Sequence, residues 1–488
     1  MTKCGTTAGQ TPVVARPFMS RLLDDPGTDT APAASFPFRQ SASAILGIRR
    51  NGRTFAMYSP SFARHPRRPE FSFCSSRSCL AVIVLMMLAP VLVAANRPAA
   101  VRADPEPADE DGVAAAMGLD RFKLRGRLQV DVGHIGGGAR LADRNLGTLV
   151  DIRRVRLGAE GEKDGFGFVV EVDFAGNDVS VEDGFGYWTD GRWRLMVGNL
   201  KPAVSMEEQS DDLFVPFMER AAFTTAFGFG YSVGAAVAYA GDDFSLRGGV
   251  LSTRSLNDPS SKEGYIPNLR LTYAPKVAAA RLHLAASLRY RKRPSRDGTL
   301  GYAREPQIHQ PQVTLVDTGP LPVSRDLFLG VEGGVFAGPF YAAAEWGWLG
   351  ARLRGPEAGT ARFSGGYAGM GYVLTGERAP FDPSSGTIGA LAPAHPLGKG
   401  GKGALVAHLR FDRIDLDDSS HAVTGGRQNA FMAGATWIPV THVRLLVNIT
   451  HLEVHGGPTI ERLRLRTGNP ALRRFSANVI GMRAQIHW

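Results

Sequence analysis

Residues 281–293 read RLHLAASLRYRKR, and this run limits the folds open to the chain more than any other. Arg281, His283, Arg289, Arg291 and Arg293 share one parity, and Leu282, Leu284, Ala286, Leu288 and Tyr290 hold the other. Successive side chains of a β-strand point to opposite faces, so the run has a cationic face and an apolar one. A single strand of this kind would suit a soluble sheet equally well. The pattern, however, repeats. Phe122–Val132 alternates throughout, Arg154 and Arg156 alternate with Val155, Leu157 and Ala159, and Arg192 and Arg194 with Trp193, Leu195 and Val197. His408, Arg410 and Asp412 alternate with Leu409 and Phe411; Gly481, Arg483, Gln485 and His487 alternate with Met482, Ala484, Ile486 and Trp488. Segments of about ten alternating residues divided by turns predict an all-β chain, a transmembrane antiparallel β-barrel with lipid outside and a wet lumen inside.

Turn residues divide the chain after Leu119 into sixteen expected strands, near 121–134, 150–160, 166–175, 182–190, 191–199, 231–240, 244–254, 268–274, 281–291, 326–337, 340–350, 361–374, 404–413, 429–438, 443–454 and 476–488. An even count suits a single-chain bacterial barrel. Tight links at Glu162–Gly165, Asp190-Gly191, Asp242-Asp243 and Gly338-Pro339 read as turns at one end. The long segments 199–230, 292–325 and 455–475 read as loops at the other end, any of them able to fold inward. With both termini periplasmic, the long segment Thr375–Gly403 falls on the side of the tight turns. The last strand presents an apolar row, Ile480, Met482, Ala484, Ile486 and Trp488, ending in a terminal aromatic of the kind outer-membrane barrels show their assembly machinery.

The net charge of +10 invites a nucleic-acid reading until it is located. Residues 1–103 hold 13 Lys and Arg against 4 Asp and Glu, leaving 43 bases against 42 acids in the rest. The folded part is nearly neutral, and no nucleic-acid partner is expected. Residues 104–488 contain 35 Arg and only 8 Lys. Arginine stays ionised in poorly hydrated surroundings and offers a planar fork of donors to oxyanions. A GC-rich genome raises arginine usage but does not arrange its parity.

Cys79–Ala95 is uncharged and apolar, and it follows Arg64, Arg67, Arg68 and Arg77. This reads as a secretory signal peptide within a leader of residues 1–103, cleaved after Ala95 or Ala103. Seventeen residues interrupted by Pro90 would be short for a membrane helix. Residues 1–56 have no place ahead of a signal peptide, so the start is expected at Met57. Cys4, Cys74 and Cys79 all precede residue 104, which leaves a cysteine-free chain suited to an oxidising periplasm. An acidic linker, 104–118, then leads to a barrel domain over 119–488.

Five stretches resemble the phosphate-selective porin O and P family. They are Arg153–Gly161 (RRVRLGAEG), Gly198–Pro202 with Met206–Ser210 and Met218–Arg220, Tyr372–Phe381 (YVLTGERAPF), Gly403–Arg410, and Trp437–Asn448 (WIPVTHVRLLVN), in the family's order. The resemblance implies a sixteen-stranded homotrimeric porin in the bacterial outer membrane, an inward-folded loop, and arginines that draw phosphate or similar small anions through. By position, Arg153, Arg154 and Arg156 match the arginines at the pore mouth, and Ser210 matches the first serine of the loop pattern. Gln209 and Asp211 depart from that pattern, and Lys201 and Lys292 are the only nearby counterparts of the family's central lysines. The expected pore-lining set is Arg153, Arg154, Arg156, Arg192, Arg194, Lys201, Ser210, Arg281, Arg289, Arg291, Arg293 and Arg410. About half of the lumen arginines are expected to be paired with Glu160, Glu171, Asp173 or Glu332.

A wide pore barely feels isolated charges, because the Debye length at physiological salt is about 8 Å. A constriction restores the field, and rings of Arg or Lys are the expected solution for anions. A general diffusion porin is the alternative reading; a barrel enzyme or an adhesin is a more distant one. Gly230–Gly234 matches G-x-S-x-G around Ser232, but that motif needs a strand–turn–helix setting and here it opens a strand. His451 and His455 lack an H-E-x-x-H helix, so neither a metal nor any other cofactor is expected.

Overall fold

A computed structural model of the chain describes residues 110–136, 147–177, 179–257, 264–293, 298–309, 313–355 and 358–488. The leader, its signal peptide, the Met57 start and the first six residues of the acidic linker lie outside these residues. The linker's later part forms a short helix, α1 (Glu110–Ala116), whose Ala114 is buried and whose end hands the chain to the first strand.

Sixteen strands form one antiparallel sheet: β1 (Arg121–Ile135), β2 (Thr148–Lys163), β3 (Phe166–Asp173), β4 (Ser180–Asp190), β5 (Trp193–Leu200), β6 (Ser232–Ala240), β7 (Phe244–Ser252), β8 (Tyr265–Tyr273), β9 (Ala280–Lys292), β10 (Val323–Ala337), β11 (Phe340–Leu353), β12 (Thr360–Val373), β13 (Ala404–Asp418), β14 (Val423–Val440), β15 (Val443–His455) and β16 (Arg474–His487). Each pairs with its sequence neighbour. β16 also pairs with β1, from Arg127 opposite His487 to Ile135 opposite Val479, so the sheet closes on itself. Closure matters because hydrocarbon offers no partner to an unpaired edge.

The links follow the expected parity. Asp164 and Gly165 both take positive φ, 51° and 80°, as a two-residue primed turn requires. The links at 191–192, 241–243, 338–339 and 441–442 lie at the same end, as do both ends of the sheet and the segment 374–403. The segments 201–231, 293–322 and 456–473 lie at the other end. They carry short helices the alternation did not disclose: α2 (Met206–Gln209) and α3 (Ala222–Phe227) in the first, α4 (Gly457–Thr467) in the last.

The outer surface is apolar. Leu284, Leu288, Leu329, Leu409, Phe431, Ile449 and Ile480 are exposed there, while Arg270, Arg289, Glu332, Glu345, Arg410, Asp412 and Arg483 are buried inside. This inverts a soluble protein and fits a wall between lipid and a polar interior. Phe166, Trp188, Trp193, Phe244, Tyr273, Tyr372 and Trp488 are exposed near the end that carries the tight turns, an aromatic girdle at one interface. Trp488 lies across Gly126; a Cβ at that glycine would come within 2.1 Å of the indole ring. Leu409 is 56% exposed near mid-strand in β13. Leu409→Arg should cost about 2–4 kcal/mol, read as a lower urea midpoint for unfolding from phospholipid vesicles.

The interior differs from a plain wet lumen in one respect. Toward the loop end, the inward-facing residues turn apolar: Phe328, Phe363, Ile414, Leu416, Ala430, Leu452, Val454 and Phe475. Phe223, Phe227 and Phe229 of segment 201–231 pack on them, as do Tyr302, Ile308 and Leu315 of segment 293–322. Phe229 meets Phe328 at 4.8 Å between ring centres, edge to face. This dry core fills the lumen beside β10–β16 and explains why β13 and β14 run five or six residues beyond their expected ends. Strands β3–β8 are only 8–11 residues long, so the opposite wall is low.

Candidate functional site: the loop-lined passage

Segment 201–231 folds into the barrel and is held there by the arginines of the lumen face. A bulge positions two of them. Opposite β1, Gln129 pairs with Arg154 but Val130 with Ile152, so Arg153 is an extra residue and both Arg153 and Arg154 reach inward. Strict alternation would have sent one of the two to lipid.

Asp212 collects three guanidinium groups: Arg127 at 2.5 Å, Arg154 at 2.8 Å and Arg156 at 3.9 Å. Arg127 also binds Asp211 and Glu171, each at 2.7 Å. Glu219 accepts from Arg153 at 3.1 Å and from Arg483 at 3.3 Å, while Arg483 grips Asp131 through two 2.7 Å bonds. Glu207 pairs with Arg410, which lies over the rings of Tyr367 and Phe217. Glu345 accepts the backbone N–H groups of Met206 and Glu207 at 3.0 and 2.9 Å, which caps the first turn of α2. Buried pairs of this kind are weak evidence of net stability, but breaking one strands a charge.

Burial alone would raise the Asp212 carboxyl; Arg154, Arg127 and Arg156 hold it well below the usual carboxylate range. Burial likewise opposes ionisation of Glu219, and Arg153 and Arg483 pull it down. A carboxylate with a lowered folded pKa contributes stability that is complete above its unfolded value, about 4, and is lost only as pH falls toward the folded one. Release of the loop from these two carboxylates should therefore be confined to strong acid, so a conductance step traceable to Asp212 or Glu219 should be absent between pH 8 and pH 5 in bilayer recordings.

Segment 374–403 enters the lumen from the opposite end. Arg270 donates to the carbonyls of Ser385 and Gly386 at 2.9 and 2.8 Å while paired with Glu332, and Phe381 stacks on Phe336 at 4.1 Å. The two inward segments meet at Ser210. Its hydroxyl donates to the Met206 carbonyl at 2.8 Å and accepts the Ile388 N–H at 2.9 Å.

A polar cavity of about 350 Å³ remains between segment 201–231 and the low wall. Of the expected pore-lining residues, Arg156, Arg194, Lys201 and Ser210 border it, and it also takes in Arg125, Arg127, Asp183 and Arg247. The other expected residues sit elsewhere. Arg153 and Arg154 fasten the loop. Arg192 is exposed in a tight turn, paired with Asp242 at 3.0 Å. Arg281 pairs with Asp243, and Arg293 donates to the Thr299 carbonyl beyond the end of β9. Arg289 and Arg291 share Asp326, and Arg289 also binds the carbonyls of Phe227 and Gly228 below α3. Pairing is thus more extensive than the half expected. Lys201 binds Glu208 at 2.7 Å.

Among the described residues, Arg194 and Arg247 have no carboxylate partner in this cavity. Arg194 donates to Thr189 and lies over Tyr187, and Arg247 donates to Gln209 at 2.9 Å. They are level with one another, since Ala238 of β6 faces both. Sequence reading missed Arg247, although F-S-L-R-G-G-V shows the same alternation. Ser232 is buried at the start of β6, with no helix after it. Among the described residues no group of metal-ligating side chains is gathered.

A closed sixteen-stranded barrel, apolar outside, charged inside and narrowed by an inward loop, defines an outer-membrane porin. The chain belongs to the phosphate-selective porin O and P family, whose profile matches residues 122–488. An uncharacterized protein of Caulobacter vibrioides is 36% identical over 377 residues, covering 75% of this chain and 73% of its own. Among solved structures, the chain is similar to OmpT of Vibrio cholerae (10% identity, 75% of this chain and 99% of that one, TM-score 0.46). It is also similar to an anion-selective porin from Comamonas acidovorans (10%, 75% and 99%, 0.45) and to the outer membrane channel DcaP of Acinetobacter baumannii (12%, 75% and 97%, 0.45).

Proposed function

We propose that this porin passes small anions, phosphate among them, by passive diffusion through the eccentric passage beside the low wall. The observation that carries the reading is the level pair Arg194 and Arg247, which lack a carboxylate partner in a cavity where the other cations are largely neutralised. A permeating anion in so narrow a space stays within reach of both, and low-dielectric walls focus their field. Each offers a single contact, which suits release. No catalytic role is assigned: Ser232 lacks the setting of a hydrolase elbow, and most charged groups of the lumen are paired with one another.

Neutralising both, Arg194→Gln with Arg247→Gln, should reduce the chloride-to-potassium permeability ratio about fivefold, read from reversal potentials in planar bilayers. An unchanged ratio would remove these two residues from the mechanism. The homotrimer implied by the family resemblance remains part of the proposal, with phospholipid and lipopolysaccharide around the apolar belt. Native-state electrophoresis of detergent-extracted protein checks the copy number.

A further inference from the structure

Among the described residues the same cavity holds one more charged group without an ion-pair partner, and it has the opposite sign. A register shift between β3 and β4, where Val170 faces Gly184 but Val172 faces Val181, turns both Glu182 and Asp183 inward. Glu182 is paired with Arg156 at 3.1 Å. Among the described residues Asp183 makes no hydrogen bond or ion pair, although it borders the cavity and lies within electrostatic reach of Arg247. The lining therefore sorts into two sets. Arg125, Arg127, Arg156, Lys201 and Arg220 face Glu160, Glu171, Glu208, Asp211 and Asp212 in ion pairs of 4.0 Å or less and present little field of their own. Arg194, Arg247 and Asp183 are left to act on whatever enters.

We propose that the space between Asp183 and the Arg194–Arg247 pair is a subsite for small zwitterions, solutes of the amino-acid type with one carboxylate and one ammonium. This rests on the porin reading and adds a solute class to it. A lone anion drawn by the guanidinium groups is opposed by Asp183, and a lone cation drawn by Asp183 is opposed by two guanidinium groups. A solute with both charges satisfies both ends. A volume of about 350 Å³ is at the small end of ligand pockets and admits such a molecule with part of its hydration. The local field between the two ends aligns the solute's dipole with the passage, and neither end holds it tightly enough to stop release.

The test is swelling of vesicles carrying the purified full chain, with γ-aminobutyrate compared against erythritol, an uncharged solute of similar size. The expected influx ratio is about fivefold in favour of the zwitterion, the scale of one partly screened charge pair. Asp183→Asn and Arg247→Gln should each bring the ratio toward one, and Asp183→Asn should raise chloride preference at the same time. In the unmodified protein, γ-aminobutyrate should also reduce chloride current, a readout independent of either variant's folding. Equal influx of the two solutes, or a preference untouched by both substitutions, overturns the subsite and leaves the channel standing. Absence of swelling with every solute overturns the channel and the subsite together.

Discussion

Removing residues 474–488 should leave no folded barrel at all. The deletion takes away β16, whose backbone is laddered to β15 on one side and to β1 on the other. Nine residue pairs, from Arg127–His487 to Ile135–Val479, close the cylinder, and Trp488 adds a further reciprocal pair of bonds to Gly126. Without them β1 and β15 become open edges facing hydrocarbon, where each unsatisfied backbone group costs several kcal/mol. The remaining strands do not close the gap, because their register is fixed by the inward and outward faces. Electrophoresis before and after boiling should show no compact species for the truncated chain, and outer-membrane fractions should lack it. A compact, membrane-inserted product would show that the β1–β16 seam does not hold the structure shut.

Asp212→Ala should produce the largest functional change of any single substitution. It leaves Arg127, Arg154 and Arg156 without the carboxylate they share, and breaking a buried pair in this way costs about 3–5 kcal/mol. Segment 201–231 keeps its other fasteners, Glu207 on Arg410 and Glu219 on Arg153, so the barrel itself should survive. The middle of the segment should detach from the β1–β2 wall, and single-channel conductance should rise severalfold. Selectivity then depends on salt in a way that separates two effects. At about 10 mM the Debye length is about 30 Å. The positive charge that Asp212 no longer balances, centred on Arg154, which has no other carboxylate partner among the described residues, should then increase anion preference. At 1 M it is about 3 Å, and the wider passage should show the conductance gain alone. Asp212→Asn, similar in size and uncharged, should behave alike. An unchanged conductance in both variants would mean that the loop is held without Asp212.

The strand layout was legible because it depends on short-range alternation. Every expected strand has a counterpart, and the tight links and the side taken by 374–403 follow from parity alone. The ends of β13 and β14 were not legible. Ile414 and Leu416, past the expected end of β13, keep the inward parity but are apolar, so they broke the charged-inside pattern by serving a dry core instead, and β14 lengthens to pair with that extension. What the arginines do was also hidden. Arg483 meets Asp131 across the seam, 352 residues away in the chain, and Arg153 meets Glu219 across 66. Nothing in local spacing discloses such partners. The bulge at Arg153 and the register shift at Glu182–Asp183 depend on the neighbouring strand, and they decide which charges reach the lumen. The arginines were read as an anion ladder from their parity. Five of them, Arg153, Arg154, Arg156, Arg289 and Arg410, hold segment 201–231 in place, and on the proposed reading the few uncompensated charges govern the passage.

On the function proposed, uncompensated guanidinium groups inside a closed, lipid-coated wall govern which ions pass. The most direct measurement is the zero-current potential of the purified protein in a planar bilayer under a tenfold KCl gradient. A potential of the sign that reports chloride permeating faster than potassium, and growing as salt is lowered, is the expected result. A cation-preferring pore, or a bilayer with no conductance, would contradict it.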